Sequence, residues 1–263
     1  MTISHERRFE FDIQGFLHLR GAMAATEVRD CLGWARAAEG ADTAELGGEH
    51  PDRLINRPVS RIIDVDPRFA RFLDHPAVSA YLIDFLGPRY KHIDNELYYT
   101  YPGYDGGPWH RGVRAHPTGH VVAGRFICPM VKVFYCLTDV GPGQGEFAVV
   151  PGSHRAHFDV DGGPADRGDD PLHRTARGRI DLPGQKVFDD VAAGDVIIFN
   201  EGLLHTGRPN PSGKTRKTVI VNFGRQDAGP WPGYRALPET LQSVTPRQAS
   251  ILTSDTGMWV EPR

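Results

Sequence analysis

The spacing of hydrophobic and polar positions changes near residue 90, and this change separates a helix-rich part of the chain from a strand-rich part. Before it, apolar residues recur every three or four positions and predict helices over 26–39 and 76–86. After it, apolar and polar residues alternate over 93–101, as in a half-buried strand. Further strands are predicted over 120–127, 130–138, 146–150, 186–191, 195–200 and 216–224.

Three segments outside these elements carry weaker patterns. Apolar residues alternate over 9–13, so we expect an N-terminal strand there that continues over 16–19. Residues 159–185 are rich in Gly, Asp and Arg and predict a long loop, and loops of that length often form lids. The tail from Gly229 contains several prolines and is expected to wrap the surface.

Many short antiparallel strands after a helical beginning predict a mainly β (α+β) fold. We expect a double-stranded β-helix, which is a jelly-roll or cupin-like barrel, with the N-terminal helices packed outside it. The 30 glycines and 21 prolines agree with such a turn-rich architecture. We expect one domain over 1–263, with a helical part over about 1–90, a barrel over about 91–225 and a tail over 226–263.

Composition narrows the classes of function. The chain has 263 residues and a formal net charge of -3, so its overall charge does not favour a nucleic-acid polymer as partner. We find no signal peptide and no apolar run long enough to span a bilayer. The three cysteines lack metal-type spacing, and reduced thiols in a cytoplasmic protein explain them most simply.

Two histidines are candidate metal ligands. His110 lies between a Gly/Pro-rich turn and a predicted strand, and His205 follows the apolar strand that ends near residue 200. Residues at strand ends can converge at one mouth of a β-barrel although they are far apart in sequence. Imidazole suits Fe(II), and two such ligands with a carboxylate form the facial site of non-haem oxygenases. The alternative for each is an ordinary hydrogen-bonded histidine of the barrel core.

Several blocks in a fixed order resemble the phytanoyl-CoA dioxygenase family of Fe(II)/2-oxoglutarate enzymes over roughly residues 9–225. The most specific are the Pro-Gly-Ser-His run that ends at His154 and the pair His205 and Arg216, eleven residues apart. The blocks are Asp12–Leu17, Trp109-His110, Leu137–Val140, Val149–His154, Ala193–Phe199 and His205 through Arg216.

The resemblance implies a double-stranded β-helix in which His110 and His205 bind iron. It also implies that Arg216 pairs with the distal carboxylate of 2-oxoglutarate, which a guanidinium fork matches well. His154 resembles a family marker that shapes a turn.

Three other residues are further candidates for contacts with 2-oxoglutarate or substrate. They are Thr206, which follows a ligand, and Lys132 and Tyr98, which lie on strands. For each of them, packing or a surface position is an equal alternative.

Gly112 departs from the hydroxylase pattern, because the family's acidic ligand is expected two residues after His110. The same His-x-Gly or His-x-Ala pattern is found in the Fe(II)/2-oxoglutarate halogenases, where chloride replaces the carboxylate. The formal charge is unchanged, since one monoanion replaces another. The similarity implies that O2 and 2-oxoglutarate are converted to succinate and CO2, and that chlorine is transferred to an unactivated carbon. We therefore favour a halogenase with Fe(II), 2-oxoglutarate, chloride and O2.

Two alternatives to a halogenase stay open. In the first, Gly112 serves only a backbone turn, and water or a carboxylate from elsewhere, namely Asp105, Glu146 or Glu201, completes the site. The enzyme would then be an Fe(II)/2-oxoglutarate-dependent hydroxylase of a small molecule. A second alternative is a cupin-shaped binding module without turnover, which the set of His110, His205 and Arg216 argues against.

The substrate is the least determined property. Arg111 and Arg114 flank the motif, and arginines near the mouth of a site suit an anionic small molecule. By resemblance to nucleotide halogenases, a purine deoxynucleotide such as deoxyadenosine monophosphate is a candidate, with Trp109 available to stack on a base. The alternatives are a solvated rim for the arginines and core packing for the tryptophan.

Overall fold

The computed structural model describes residues 3–43, 58–112, 120–122, 125–158, 160, 178–226 and 234–253. The helices are α1 (His5–Gln14), α2 (Ala25–Ala38), α3 (Ile62–Val65), α4 (Pro76–Leu86), α5 (Pro238–Ser243) and α6 (Pro246–Leu252), with short 3-10 helices at Pro67–Leu73 and Ser153–Arg155. The strands are β1 (Phe16–Leu19), β2 (Val59–Ser60), β3 (Lys91–Thr100), β4 (His120–Val122), β5 (Arg125–Ile127), β6 (Met130–Cys136), β7 (Phe147–Val149), β8 (Lys186–Phe188), β9 (Val196–Asn200), β10 (His205–Gly207) and β11 (Arg216–Gly224).

The strands form a jelly roll of two packed sheets. The larger sheet has the order β1-β9-β6-β11-β3-β2, and the smaller has the order β10-β7-β8. All neighbouring strands within these sheets are antiparallel. Phe147 of β7 packs on Phe134 of β6 and Phe199 of β9, with ring centroids 4.8 and 4.9 Å apart, so the two sheets face each other. The predicted double-stranded β-helix is confirmed.

The larger sheet buries both of its faces. Because side chains alternate along a strand, Val131, Val133 and Tyr135 of β6 join the core cluster under the helices. Phe134 and Cys136 point the other way, into the cluster between the sheets. The ring of Phe72, from the 3-10 helix that precedes α4, lies 4.3 Å from the ring of Tyr135 and ties the helical layer to the sheet.

The prediction of a strand over 9–13 is wrong, because these residues belong to α1. The Ser4 side chain caps the helix by accepting from the Arg7 amide, and Gly15 ends it with a φ of 83°. Phe11 stacks on Phe85 of α4 at 3.9 Å and is fully buried, whereas Phe9 is exposed. The burial of Phe11 against α4 therefore outweighs the alternating pattern, and of the predicted N-terminal strand only β1 is extended.

Most other elements agree with the sequence pattern. The predicted helices over 26–39 and 76–86 are confirmed as α2 and α4, within a residue at each end. The tail forms two helices over 238–252, each begun by a proline, and Ile251 and Leu252 are buried. The expectation that the tail wraps the surface stays a prediction. Most of the predicted loop over 159–185 lies outside the described residues. The organisation as one domain stays a prediction.

Three cysteines, Cys31, Cys128 and Cys136, are buried free thiols, so they form no disulfide. Among the described residues, no helix combines the length and the apolar character that crossing a membrane requires.

Candidate active site

The backbone brings His110 and His205 side by side although 94 positions separate them in the sequence. Each residue donates its amide to the carbonyl of the other at 3.0 Å, which makes a two-residue antiparallel bridge. The imidazole rings lie on the same side of this bridge, with centroids 4.2 Å apart. Sequence reasoning therefore selects two histidines that the fold places together.

Hydrogen bonds orient both imidazoles in the same way. Nδ1 of His110 lies 3.0 Å from the Pro108 carbonyl, and Nδ1 of His205 lies 2.7 Å from the Leu203 carbonyl. Because a carbonyl only accepts, each Nδ1 carries the hydrogen, and each Nε2 keeps a lone pair for a metal. Such second contacts are the usual way in which metal-binding histidines are held in place.

Burial keeps both imidazoles neutral. It lowers the pKa of His110 to about 3, with a smaller effect of the same sign from His205, while the Glu201 carboxylate opposes the shift. Burial also lowers the pKa of His205 to about 3, and the charge of Lys132 adds to that effect. A neutral imidazole is the form that binds a metal, so the pair needs no deprotonation near neutral pH.

The space beside Gly112 is filled by the carboxylate of Glu201. A Cβ atom built on Gly112 would lie 2.1 Å from Oε2 of Glu201, which is closer than any real contact. The Gly112 amide donates to the Glu201 carbonyl at 2.9 Å, so the two backbones are also joined. Of the three carboxylates named as substitute ligands, Asp105 is exposed and Glu146 accepts from the Gly143 amide, whereas Glu201 is next to the motif.

Lys132 ion-pairs with this carboxylate, with its Nζ 2.5 Å from Oε1 of Glu201. Burial alone would lower the pKa of Lys132, but the charges of Glu201 and Asp94 raise it above its ordinary value. Lys132 of β6, Asn222 of β11 and Asp94 of β3 lie in one register row across the sheet. The amine of Lys132 therefore has a protein partner, Glu201. Its predicted role in binding 2-oxoglutarate or substrate stays a prediction.

Arg216 lies at the beginning of β11, with its side chain between the sheets. Its guanidinium donates to the Gly145 carbonyl, two residues before Phe147, whose ring lies 5.7 Å from that of His205. Nε of Arg216 is buried and has no partner among the described residues. Burial lowers the pKa of Arg216, and nearby Cys136, Tyr104 and Tyr98 raise it again.

Tyr98 and Thr206 take different positions relative to this arginine. Tyr98 is close enough to Arg216 to affect its pKa, in agreement with a place beside a bound carboxylate. Thr206 instead donates its hydroxyl to the Gly107 carbonyl at 2.7 Å and so fixes the turn that leads to His110. Tyr104 was missed by sequence reasoning, because it lies in the Gly/Pro-rich turn, where no strand pattern singles it out.

Two of the predicted substrate contacts, Trp109 and Arg111, are buried rather than exposed on a rim. Trp109 is 0% exposed and packs with Ala148 and Leu204, so its ring has no exposed surface in this structure. Arg111 is buried and donates to the Ser153 carbonyl at 3.2 Å. Arg114 lies outside the described residues. The roles of these three residues in substrate binding stay predictions.

His154 contacts the backbone at the end of α1 and lies apart from the pair of His110 and His205 in its hydrogen bonding. Its ring lies against Gly15, where a Cβ atom would approach Nδ1 to 2.5 Å. Its Nε2 lies 3.2 Å from the Asp12 carbonyl, so it ties the end of α1 to the turn after β7.

The residues present fit an iron and 2-oxoglutarate site in two respects. Two neutral imidazoles offer lone pairs side by side, and the half-buried Arg216 has a buried Nε without a partner among the described residues that can donate to a carboxylate. Within the described ranges, however, no three His, Cys, Asp or Glu side chains are grouped so that they could hold a metal ion. His110 and His205 are therefore the two candidate metal ligands in the described part of the chain.

Comparison with known proteins places this geometry in context. The family model described as Phytanoyl-CoA dioxygenase (PhyH) matches residues 11–218 of the chain.

Solved structures with the same fold include HygX from Streptomyces hygroscopicus with nickel, 2-oxoglutarate and hygromycin B bound. It is 21% identical, with a TM-score of 0.65 and coverage of 85% of this chain and 88% of HygX. The carbocyclase SnoK from nogalamycin biosynthesis is 22% identical, with a TM-score of 0.64 and coverage of 93% and 92%. The epimerase SnoN, in complex with Fe3+, alpha ketoglutarate and nogalamycin RO, is 20% identical, with a TM-score of 0.65 and coverage of 89% and 90%. At such identities the likeness establishes the fold.

Proposed function

Since this chain belongs to the phytanoyl-CoA dioxygenase family, we propose that it is an Fe(II)/2-oxoglutarate-dependent oxygenase that oxidises a C–H bond of a small molecule. The observation that carries the proposal is the backbone bridge between His110 and His205, which holds two neutral imidazoles side by side. When bound, iron and 2-oxoglutarate supply the oxidising chemistry, in which O2 is consumed and succinate and CO2 are released.

The chain's own residues bind and orient the reactants. His110 and His205 offer Nε2 to the metal, and the carbonyls of Pro108 and Leu203 prevent their rings from turning. Arg216, a half-buried residue with a buried Nε, would pair with the distal carboxylate of 2-oxoglutarate through its guanidinium. Phe134, Phe147 and Phe199 surround the region between the sheets and exclude water from it.

Hydroxylation is the outcome that the geometry supports best. The substrate then exchanges a C–H bond for a C–OH bond, one atom of O2 enters the product, and the other enters succinate. The support comes from Glu201, because its carboxylate fills the space beside Gly112 that a bound chloride would need.

Chlorination is the second candidate, because position 112 lacks the acidic side chain of a hydroxylase. The substrate, chloride, one proton, O2 and 2-oxoglutarate would give the chlorinated product, succinate, CO2 and water.

The substrate class we propose is a small molecule. Two of the similar structures hold hygromycin B or nogalamycin RO, which are both small molecules. The candidate substrate from the sequence, an anionic nucleotide such as deoxyadenosine monophosphate, is one of the compounds to test for turnover. A cytoplasmic location agrees with the buried free thiols.

The proposal is tested by metal and co-substrate binding without oxygen, followed by turnover. We expect wild-type protein with Fe(II) and 2-oxoglutarate to develop the visible charge-transfer absorption of a chelated complex, and His205→Ala to lose it. His5→Ala removes an exposed histidine of α1 and is the matched control. Equal absorption in His205→Ala and wild type would refute the assignment of the site.

Turnover distinguishes the two outcomes. Deoxyadenosine monophosphate and hygromycin B serve as probes, and succinate and product mass are measured with 18O2, with and without chloride. Hydroxylated product that carries 18O and does not depend on chloride supports hydroxylation. Chlorinated product in the presence of chloride would replace it with the second candidate. Absence of succinate with every probe, together with absence of the chelate absorption, would leave only a binding module.

A further inference from the structure

The inner face of β3 is more open to solvent than its outer face. Tyr98 packs against the cluster between the sheets, and because side chains alternate along a strand, Glu96 and Asp94 lie on the same face. All three are partly exposed, whereas Leu97 and Tyr99, on the outer face, are buried. The inner face of β3 is therefore within reach of a small molecule from solvent.

A polar row crosses this face and ends near the candidate metal ligands. Backbone pairing aligns Asp94 of β3 with Asn222 of β11, and Asn222 with Lys132 of β6. The Asn222 side-chain amide donates to Oδ1 of Asp94 at 2.6 Å, and Nζ of Lys132 lies 2.5 Å from Oε1 of Glu201. Besides burial, the charge of Lys132 lowers the pKa of His205, so this end of the row lies beside the histidine pair.

The row carries more negative than positive charge. Two carboxylates, those of Asp94 and Glu201, face the single ammonium of Lys132, and both act on its charge state. Burial raises the pKa of Asp94 to about 6, so this carboxylate remains ionised at neutral pH. Bound Fe(II) would not remove the surplus, because the 2-oxoglutarate dianion balances its charge. Poorly solvated charges are stable when each is paired, so a second cation is expected at the row.

The row also contains an acceptor that lacks a donor. Asn222 is 4% exposed, and its Oδ1 is buried without a hydrogen-bond partner among the described residues. Since Nδ2 of the same amide donates to Asp94, Oδ1 is the oxygen of an amide that lies along the row, and it can only accept. A buried acceptor without a donor is costly. The group that the row lacks is therefore a hydrogen-bond donor with a positive charge.

We propose that the substrate carries a protonated aliphatic amine, and that Asp94 and Asn222 bind this amine on the inner face of β3. The proposal rests on the proposed oxygenase function and names the class of its substrate. An ammonium group supplies the missing charge and has three N–H donors, enough for a carboxylate and an amide oxygen together. An anionic substrate would instead meet like charge at this position. Asp94 and Asn222 bind and orient the substrate, and the oxidation takes place at the histidine pair.

The alternative is that the row is a closed structural network. Asp94 and Glu201 would then serve only to surround Lys132, and Asn222 only to hold Asp94 in place. The two roles differ in how the protein responds to charged and uncharged molecules of the same shape.

The experiment compares amines with alcohols of matched shape. The protein is loaded with 2-oxoglutarate and with Co(II), which replaces Fe(II) without turnover, and calorimetry measures the affinity for each probe. The probe pairs are 1,5-diaminopentane with 1,5-pentanediol and glucosamine with glucose. We expect at least one amine to bind about 10- to 100-fold more tightly than its alcohol, which is the usual effect of hydrogen bonds to charged groups.

Two variants of similar chemistry locate this preference. Asp94→Asn removes the charge but keeps the shape of the side chain, so the preference for the amine should fall to within about twofold. Asp190→Asn removes a carboxylate that is 88% exposed and should leave the preference unchanged.

A third variant should change the affinity in the opposite direction. Lys132→Met removes the ammonium that competes with the ligand, so amine affinity should increase by about tenfold. The amine should also raise the melting temperature of Lys132→Met more than that of wild type, because a ligand stabilises the folded state to which it binds. A closed network instead loses stability in this variant without gaining affinity. Circular dichroism shows whether each variant is folded before its affinity is interpreted.

Three outcomes would overturn the proposal. They are wild-type protein that binds neither amine more tightly than its alcohol, an undiminished preference in Asp94→Asn, and an amine affinity of Lys132→Met that does not exceed that of wild type. If the proposed function fails instead, wild type develops no charge-transfer absorption with Fe(II) and 2-oxoglutarate, and this result does not depend on the affinity for amines.

Discussion

The two faces of the six-stranded sheet are built from the same strands but follow opposite rules. On the outer face, alternate residues such as Val133, Tyr135 and Val219 pack under the helices in an apolar cluster. On the inner face, the intervening positions include Lys132, Asn222 and other polar residues, next to the phenylalanines between the sheets. A strand with period-two alternation thus supplies structure on one side and chemistry on the other.

Two polar groups on each face illustrate how differently they can be satisfied. On the outer face, the Tyr135 hydroxyl donates to the Phe72 carbonyl at 3.0 Å, and the Tyr99 hydroxyl donates to the Ala35 carbonyl at 2.5 Å. On the inner face, Oε2 of Glu201 and Nε of Arg216 are buried without partners in the described part of the chain. Unsatisfied groups are costly in a core, so these two atoms of the inner face are candidates for contacts with a ligand.

The largest effect is expected on the outer face, from Phe72→Ala. Phe72 is fully buried against Tyr135, so its truncation should reduce the free energy of unfolding by about 3–5 kcal/mol. Urea denaturation measures this loss, with Phe158→Ala, which truncates a 74% exposed ring, as the control. At temperatures where the variant is folded, its Co(II) affinity should equal that of wild type. A changed affinity would show that packing on the outer face also affects metal binding on the inner face.

The second prediction exploits two neighbours on β11. Arg216→Met should weaken 2-oxoglutarate binding about 10- to 100-fold, because hydrogen bonds to charged groups contribute about 1.5–3 kcal/mol. Lys217→Met is the matched control, since Lys217 faces outward to Glu39 and the ring of Tyr99. It should change 2-oxoglutarate affinity by less than about twofold.

Anaerobic titration of the Fe(II)-loaded variants with 2-oxoglutarate measures both effects. Equal losses of 2-oxoglutarate affinity in Arg216→Met and Lys217→Met would show that removal of any positive charge from β11 weakens binding, whichever face of the sheet the charge lies on.

The sequence pattern predicted the strands and helices that build the two faces of the sheet better than it predicted the residues of the candidate active site. The alternation over 93–101 and the spacing of apolar residues over 76–86 reflect burial, which each residue experiences locally, and β3 and α4 follow them. The pattern over 9–13 failed, because α1 depends on the Ser4 cap and on a contact between Phe11 and a helix far along the chain.

Glu201 shows the limit more sharply. It could be named only as one of three acids near motif blocks, because its position beside Gly112 follows from backbone pairing between segments about 90 residues apart. His110 and His205 were accessible only through a family motif, since spacing alone does not show that two strand ends meet. The sequence signal was Gly112, and it could be interpreted only once the structure placed Glu201 beside it.

The smallest expected effect concerns a histidine of the outer face, His92, and tests whether burial alone controls it. Asn95 accepts the Ile63 amide with Oδ1 and donates Nδ2 to Nε2 of His92 at 2.8 Å, which fixes a neutral ring. Burial lowers the pKa of His92 to about 3 from 6.5. As pH falls below about 6.5, the unfolded chain binds a proton that the folded chain refuses, so stability decreases. His92→Gln should remove about 1 kcal/mol of the loss in unfolding free energy between about pH 6 and pH 5 in metal-free protein. Urea denaturation at both pH values measures the difference, and an unchanged slope would show that His92 becomes protonated in the folded state, in contrast to the neutral imidazoles of the inner face.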